Sequence, residues 1–269
     1  MISLAIFSAI IIAILIGSLR WIKVYNHVVY FDNLPAHLEG FKILHISDLH
    51  SNSRYRMNLN IWRHIDNLDF DIAVITGDII LGHPLELESH REQLAALAAR
   101  VPTFFVEGNH ESQHFVQISR FMDDVGIVFL HNEIYRLNVE EGVLDIIGTA
   151  DYSTLTRQNL FDNLDGLFAG EHYNFRLVLT HQPQLFNRLK DMGLDMMLAG
   201  HTHGGQLRMP FLPTIYAPGQ GFWPEFGNGF YYHDDAVLYI SRGLGTTYFP
   251  FRFWNRPEIA VLELSGNAP

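Results

Sequence analysis

Short apolar runs alternate with stretches of helical spacing along most of the chain, and this alternation predicts an α/β fold. Runs rich in Val, Ile and Phe that end at turn residues are typical of strands, whereas apolar residues spaced by three or four indicate helices. The predicted strands cover residues 24–31, 41–47, 71–76, 103–106, 127–130, 134–139, 143–149, 175–179 and 194–199. The predicted helices cover residues 57–68, 87–100, 112–125 and 185–192. Residues 151–165 suit either a loop or a helix.

Five of the predicted strands end at side chains that can bind a metal ion. Open α/β sheets place their sites at the carboxyl ends of strands, so these side chains are expected along one edge. Each residue alone has an ordinary explanation, such as capping a helix or forming a turn. Their joint occurrence favours a common site. The residues are Asp48, His50, Asp78, Asn109, His110, His181, His201 and His203.

The loop at residues 200–206 reads Gly-His-Thr-His-Gly-Gly-Gln and carries the densest part of this pattern. Its glycines let backbone and ions approach each other closely. The chain contains no cysteine, so any metal must be held by imidazole, carboxylate or amide groups. That mixture of ligands suits a pair of borderline divalent ions with one carboxylate bridging them.

Composition and charge restrict the class of protein. The 269 residues, 48% of them hydrophobic, suit one large globular domain, which we expect at residues 24–269. A formal net charge of -11 argues against a protein that grips nucleic acid along its backbone, and no binding of duplex nucleic acid is expected.

Residues 2–19 carry no charge and are just long enough to span a bilayer core. A cleaved secretory signal is the alternative, but it needs a basic leader and small residues at a cleavage site, and neither is present. We therefore expect a retained single-pass anchor over residues 1–23, in the cytoplasmic (inner) membrane. Arg20 and Lys23 follow the apolar stretch, which favours a cytoplasmic position for the domain by the positive-inside tendency.

The polar strand ends resemble the signature motifs of the calcineurin-like metallophosphoesterases, in order and in type. These motifs span roughly residues 43–206, and the turn at residues 241–245 resembles the membrane-anchored bacterial branch of the family. The resemblance implies a two-sheet β-sandwich flanked by helices, the αββα fold. It implies that one metal is held by Asp48, His50 and His203. It implies that the other is held by Asn109, His181 and His201, with Asp78 bridging both.

The resemblance also implies a dimetal phosphoester hydrolase in which a metal-bridging hydroxide attacks phosphorus. His110 would then lie near the leaving oxygen and donate a hydrogen bond or a proton to it. Manganese is the metal we expect, although Fe²⁺, Zn²⁺, Co²⁺ and Ni²⁺ also accept this set of ligands.

The substrate is less sharply defined. Aromatic residues are concentrated in the last third of the chain, where they suit either the core of a second sheet or an apolar cleft or membrane-facing rim. The second interpretation predicts a lipid-linked phosphodiester or pyrophosphate, and UDP-2,3-diacylglucosamine of lipid A synthesis is one such substrate in related enzymes. Arg54 is the first candidate to hold the substrate phosphate. The other candidates are Arg56, Arg242 and Arg252.

Three other functions stay open at this point. A cyclic-nucleotide phosphodiesterase would use the same site on a soluble substrate. A protein or monoester phosphatase is less consistent with the anchor and with the apolar residues Ile79, Ile80 and Leu81 after Asp78. A non-catalytic scaffold would leave a cluster of acids and imidazoles with nothing to bind.

Overall fold

A computed structural model describes residues 21–50, 61–151, 157–170, 173–205, 208, 212, 214–246 and 252–267. Among them, strands build two six-stranded sheets and one two-stranded hairpin. The strands are β1 (Lys23–Tyr30), β2 (Lys42–Ile46), β3 (Ile72–Thr76), β4 (Thr103–Val106), β5 (Val128–Phe129), β6 (Glu133–Val139), β7 (Gly142–Gly148), β8 (Phe175–Leu179), β9 (Met196–Ala199), β10 (Tyr216–Ala217), β11 (Gly221–Phe222), β12 (Gly229–His233), β13 (Ala236–Ile240) and β14 (Glu258–Ser265).

The helices are short and several continue from a 3-10 turn. The α-helices are α1 (Ile61–Ile65), α2 (Arg91–Arg100), α3 (Phe115–Asp124), α4 (Arg157–Leu167) and α5 (Phe186–Leu189). The 3-10 turns are Ala36–Leu38, Pro84–His90, Ser112–His114, Pro183–Leu185 and His203–Gly205.

The two sheets are mixed, and their central strands are parallel. The first has the order β1-β14-β2-β3-β4-β5 and the second the order β12-β13-β9-β8-β7-β6. Strands β2, β3 and β4 run parallel in the first sheet, as do β7, β8 and β9 in the second. Each set therefore brings its carboxyl ends to a single edge.

The sheets pack face to face and helices cover both outer faces, as the αββα prediction requires. One apolar core lies between the sheets and contains Val74, Phe104 and Leu177. A second joins the outer face of the first sheet to α1, α2 and α3, and a third joins the outer face of the second sheet to α4 and α5. Central strands buried on both faces explain why the sequence shows unbroken apolar runs there.

The predicted ends of all four helices were wrong: α3 begins at Phe115 instead of Ser112, α5 ends at Leu189 instead of Met192, and the other two differ for reasons that the contacts show. Helix α2 begins at Arg91 instead of Leu87, because Pro84 opens a 3-10 turn whose first amides are capped by His83, which accepts from Leu85 N at 3.2 Å. The described part of the helix predicted at residues 57–68 ends at Ile65. The side-chain amide of Asn67 donates to the carbonyl of Arg63 at 2.7 Å and occupies a group that a longer helix would use.

None of the helices among the described residues is both long and apolar enough to cross a membrane. Residues 1–20 of the predicted anchor lie outside the described residues.

Candidate metal centre

The polar strand ends of both sheets meet at one place. Within each sheet, backbone bonds align neighbouring loops, since Asp48 N donates to Gly77 O at 3.0 Å and Gly200 N donates to His181 O at 3.1 Å. Between the sheets, the imidazole Nδ1 of His181 lies 2.8 Å from Thr76 O. His201 N lies 3.1 Å from the Asp48 carboxylate. The loops of the two sheets thus form one connected site.

Asp78 lies at the centre of this site. Its Oδ2 atom lies 3.2 Å from His181 Nε2, 3.8 Å from His50 Nε2 and 3.9 Å from His110 Nε2. Its Oδ1 atom accepts a hydrogen bond from the backbone of His110 at 3.1 Å. A buried carboxylate that faces imidazoles from both sheets has the position expected of a bridging ligand.

Two groups of ligand atoms lie on either side of Asp78. In the first, His50 Nε2 lies 3.1 Å from His203 Nε2, which is 3.4 Å from Asp48 Oδ1. In the second, His201 Nδ1 lies 3.1 Å from His181 Nε2. Each of the sets Asp48–His50–His203 and Asp78–His181–His201 has its ligand atoms within 4.8 Å of one another, which suits one cation each.

A third set of atoms within the same 4.8 Å limit contains His50, Asp78 and His110. The geometry alone therefore leaves His110 two uses, as a ligand or as a residue that contacts substrate.

Two imidazoles are held in the tautomer that metal ligands use. His50 Nδ1 lies 3.2 Å from Ile80 O, and His181 Nδ1 lies 2.8 Å from Thr76 O. A carbonyl oxygen can only accept, so in each ring Nδ1 carries the proton and donates it. In the neutral form, Nε2 keeps its lone pair and faces Asp78, which is the arrangement found around bound metals.

Asn109 provides a further test of whether these residues fit a metal centre. Its Oδ1 atom is buried and has no hydrogen-bond partner. A buried oxygen without a partner costs about 1–3 kcal/mol, so such groups need an explanation. Asn109 lies between Gly108 and His110, which both contact Asp78 or its loop. A cation at this place would satisfy the oxygen, and the residues present therefore fit a metal centre.

The backbone around these side chains is strained. Positive φ angles are uncommon for residues other than glycine and cost of order 1–3 kcal/mol each, yet they cluster here. They occur at Asp48 (52°), His50 (45°), Asp78 (54°), His201 (69°) and His203 (50°). Gly200 is required for close approach, because a Cβ atom there would collide with the side chain of Ser47. The fold thus accepts local strain in order to bring the side chains together.

The histidines of the site differ in pKa and therefore in charge. Burial lowers the pKa of His50 to about 4 and that of His201 to about 3, so both are neutral. Burial also disfavours charge on His181, but the carboxylate of Asp78 outweighs it and raises the pKa of His181 well above its usual value. Burial raises the pKa of Asp48 to about 6.

Glu111 belongs to the site although the sequence pattern did not single it out. Its buried carboxylate accepts backbone hydrogen bonds from Asp78 N at 2.8 Å, Gly108 N at 2.9 Å and Ile80 N at 2.9 Å. It therefore joins the loops after β3 and β4. Its position directly after His110 was the available signal.

Arg252 and Asn255 support His203 from the far end of the chain. The guanidinium of Arg252 is fully buried and donates to Gly245 O at 3.0 Å and to Arg242 O at 2.8 Å. The side-chain amide of Asn255 donates to His203 O at 2.5 Å. Arg252 was a candidate to hold phosphate, but burial directs it to the loop backbone instead.

The other arginine candidates differ in their surroundings. Arg242 pairs with Glu258, with Nε to Oε2 at 3.3 Å. Arg54 and Arg56 lie outside the described residues, so the assignment of Arg54 to phosphate stays a prediction.

The aromatic residues of the last third divide between core and surface. Phe226 is buried, whereas the side chains of Phe222, Trp223 and Trp254 are exposed by 74%, 65% and 57%. Part of this concentration therefore belongs to the core and part lies at the surface, and the membrane-facing rim stays a prediction.

Comparison with known proteins agrees with the geometry. The sequence model of the calcineurin-like phosphoesterase family matches residues 41–205. The chain is 32% identical over 239 residues to the uncharacterized metallophosphoesterase YkoQ of Bacillus subtilis (strain 168), covering 87% of this chain and 86% of that one. It is 30% identical to the phosphodiesterase YaeI of Escherichia coli (strain K12), covering 91% and 88%. It is 26% identical to the UDP-2,3-diacylglucosamine pyrophosphatase LpxG of Chlamydia muridarum, covering 85% and 84%.

The class of protein is therefore a metal-dependent phosphoesterase, a hydrolase. The chain belongs to the calcineurin-like phosphoesterase family.

Proposed function

We propose that the protein hydrolyses a phosphodiester or pyrophosphate bond in a membrane-associated or lipid-linked substrate, with two divalent metal ions. The observation that carries this proposal is the convergence of ligand atoms from both sheets on the buried carboxylate of Asp78. A site for one ion would not need a ligand group on each side of that carboxylate.

In this assignment one ion would be held by Asp48, His50 and His203, and the other by Asn109, His181 and His201. Asp78 would serve as a ligand for both. When bound, the ions would supply Lewis-acid activation of water and neutralise charge on the phosphate. Manganese is the expected metal, and Fe²⁺, Zn²⁺, Co²⁺ and Ni²⁺ suit the same donors.

His110 is assigned to the leaving group. Its side chain is 17% exposed, whereas the Asp78 side chain that it faces is 3% exposed, so His110 has more access to a substrate at the opening. Its backbone bond to Asp78 Oδ1 fixes the start of the side chain. From there the imidazole can donate a hydrogen bond or a proton to the oxygen that leaves.

The proposed substrate class rests on two observations. Similar proteins are named a phosphodiesterase and a UDP-2,3-diacylglucosamine pyrophosphatase, and both act on phosphorus bonded to two groups. Exposed aromatic side chains also lie on segments that contact the site through Gly219 and Asn255, where they suit an acyl-bearing substrate. A nucleotide diphosphate carrying lipid, of the UDP-2,3-diacylglucosamine type, fits both.

Hydrolysis by the full chain in detergent tests the reaction class. Protein stripped of metal and then given Mn²⁺ should cleave bis-p-nitrophenyl phosphate faster than p-nitrophenyl phosphate. Asp78→Ala should abolish both metal binding and activity, whereas Asp69→Ala, which changes an exposed carboxylate in a surface ion pair, should do neither. A preference for the monoester would indicate a phosphatase, and inactivity on both with metal bound would indicate a scaffold.

A competing substrate within the same class is a cyclic nucleotide. The two are separated by presenting UDP-2,3-diacylglucosamine in mixed micelles beside a soluble cyclic nucleotide. Faster cleavage of the micellar substrate supports the proposal, and faster cleavage of the cyclic nucleotide contradicts it.

A further inference from the structure

Three of the four tryptophans in the chain are exposed, which is unusual for this residue type. Trp21, Trp223 and Trp254 are exposed by 64%, 65% and 57%, while Trp62 is half-buried. Trp223 and Trp254 also have left-handed backbone, with φ of 56° and 52°, which bulky side chains rarely adopt. Exposed and strained aromatic residues are typical of a binding surface rather than of a core.

Trp223 lies on a hairpin beside the metal centre. Strands β10 and β11 form this hairpin, and Trp223 N extends it by donating to Ile215 O at 2.8 Å. At its tip, a Cβ atom on Gly219 would lie 3.2 Å from His201 Nε2. The neighbouring Phe222 is exposed by 74%. The hairpin therefore contacts a proposed ligand and presents two aromatic side chains to solvent.

Trp254 lies on a second segment at the same edge. It is placed between Arg252 and Asn255, and the Asn255 amide bonds to the backbone of His203. The two segments are far apart in sequence, yet both reach the metal centre.

Trp21 lies just before β1, at the same edge of the sandwich. Lys23, the first residue of β1, pairs with Glu258, the first residue of β14. Strand β14 is antiparallel to β2, so β1 begins at the edge of the sheet where β2 ends, and that edge carries the metal centre. The uncharged stretch at residues 2–19 directly precedes this point.

We infer that the edge of the sandwich that carries the metal centre faces a lipid bilayer, with Trp21, Phe222, Trp223 and Trp254 in the headgroup region. The inference rests on the proposed membrane attachment and not on the reaction. A bilayer is the occupant because a bilayer-length apolar stretch ends at Leu19, two residues before Trp21, and because tryptophan prefers the interface.

The charges at this edge and the composition of the other edge agree with a bilayer. Lys23 and Arg256 are exposed beside Trp21, with the Arg256 guanidinium 5.6 Å from its ring centroid, and such cations suit lipid phosphate. Among the described residues, the edge away from the metal centre has exposed Tyr173 and Tyr232 but no exposed tryptophan. A lipid-borne substrate could then reach the metal centre without leaving the membrane surface.

Single cysteines test this orientation cleanly, because the chain has no cysteine of its own. Phe222→Cys and Trp254→Cys report on the metal edge, and Tyr173→Cys and Tyr232→Cys are matched controls at the other edge. Each full-length variant carries a fluorophore and is placed in nanodiscs with phospholipid that bears a nitroxide near the headgroup. We expect the first two labels to lose about half of their fluorescence, as interfacial groups should, and the two controls to lose little.

Equal quenching of all four labels, or none at any, would overturn the inference. Two metal-edge variants on different segments ensure that misfolding of one does not decide the result. Hydrolysis of bis-p-nitrophenyl phosphate by the unaltered chain in the same nanodiscs is measured in parallel. Activity without quenching would reject the orientation and leave the proposed reaction standing. Quenching without activity would support the orientation and reject the proposed reaction.

Discussion

The carboxylate of Asp78 and the imidazole of His181 form a buried pair, 3.2 Å apart, in which protons and metal compete. Burial disfavours charge on both groups, but their mutual attraction raises the pKa of His181 well above its usual value and holds that of Asp78 well below. Without metal, His181 therefore keeps a proton at neutral pH. A metal ion that binds its Nε2 atom must displace that proton.

Affinity for Mn²⁺ should consequently rise with pH, by up to about tenfold per pH unit while one proton is displaced. Titration calorimetry between about pH 6 and 8, the range in which histidines commonly titrate, in buffers with different ionisation enthalpies, measures both the affinity and the protons released. His181→Asn removes the titrating ring and should bind Mn²⁺ weakly with a flatter pH dependence. An affinity that does not change with pH in the unaltered chain would show that His181 is not protonated.

His110 presents a choice that geometry leaves open, because its Nε2 atom can join a metal-binding group or face the substrate. In the proposed role, His110→Ala should lower kcat for bis-p-nitrophenyl phosphate by about 10²–10⁴-fold, the usual contribution of a positioned acid. Metal content, measured by inductively coupled plasma mass spectrometry, should stay the same. The neighbouring His114→Ala serves as a control and should change neither quantity. Loss of one ion in His110→Ala would instead identify His110 as a metal ligand.

At the scale of elements, the loops after β3 and β4 depend on a single side chain, that of Glu111. Glu111 accepts from three backbone amides in these loops, and removal of its carboxylate would leave buried donors without partners. Each such donor costs about 1–3 kcal/mol. Glu111→Ala should therefore lower the melting temperature of the metal-free protein. It should also weaken Mn²⁺ binding by about 10–100-fold, as loss of a supporting group around a metal commonly does.

Glu133→Ala is the comparison for Glu111→Ala, since Glu133 is exposed and, within the described part of the chain, accepts one backbone bond, from His131 N at 3.3 Å. It should change neither the melting temperature nor Mn²⁺ binding appreciably. If the two variants behave alike, the loops are held by other contacts, and Glu111 has no special part in positioning Asp78.

At the scale of the whole molecule, local sequence patterns predicted where strands end, but they did not predict which distant residues support the site. Strands β4 and β8 have the predicted ends because their mostly apolar runs stop at polar residues, Glu107 and Thr180. The residues that hold His203 gave no such signal. Arg252 and Asn255 follow it by 49 and 52 residues, and their role depends on how β14 returns to the first sheet. Periodicity carries no information on that pairing.

The same topology places the end of β14 at the edge away from the metal centre, so a reporter fused to the carboxyl terminus should not obstruct the site. Arg20 and Lys23 follow the apolar stretch, so the proposed anchor should leave the domain on the cytoplasmic side. A fused green fluorescent protein should fluoresce, and a fused alkaline phosphatase should be inactive. Moving two basic residues to the other flank, through Ile2→Arg, Ser3→Arg, Arg20→Ser and Lys23→Ser, should reverse both readings. Active alkaline phosphatase on the unaltered chain would instead place the metal centre, and its substrate, on the outer face.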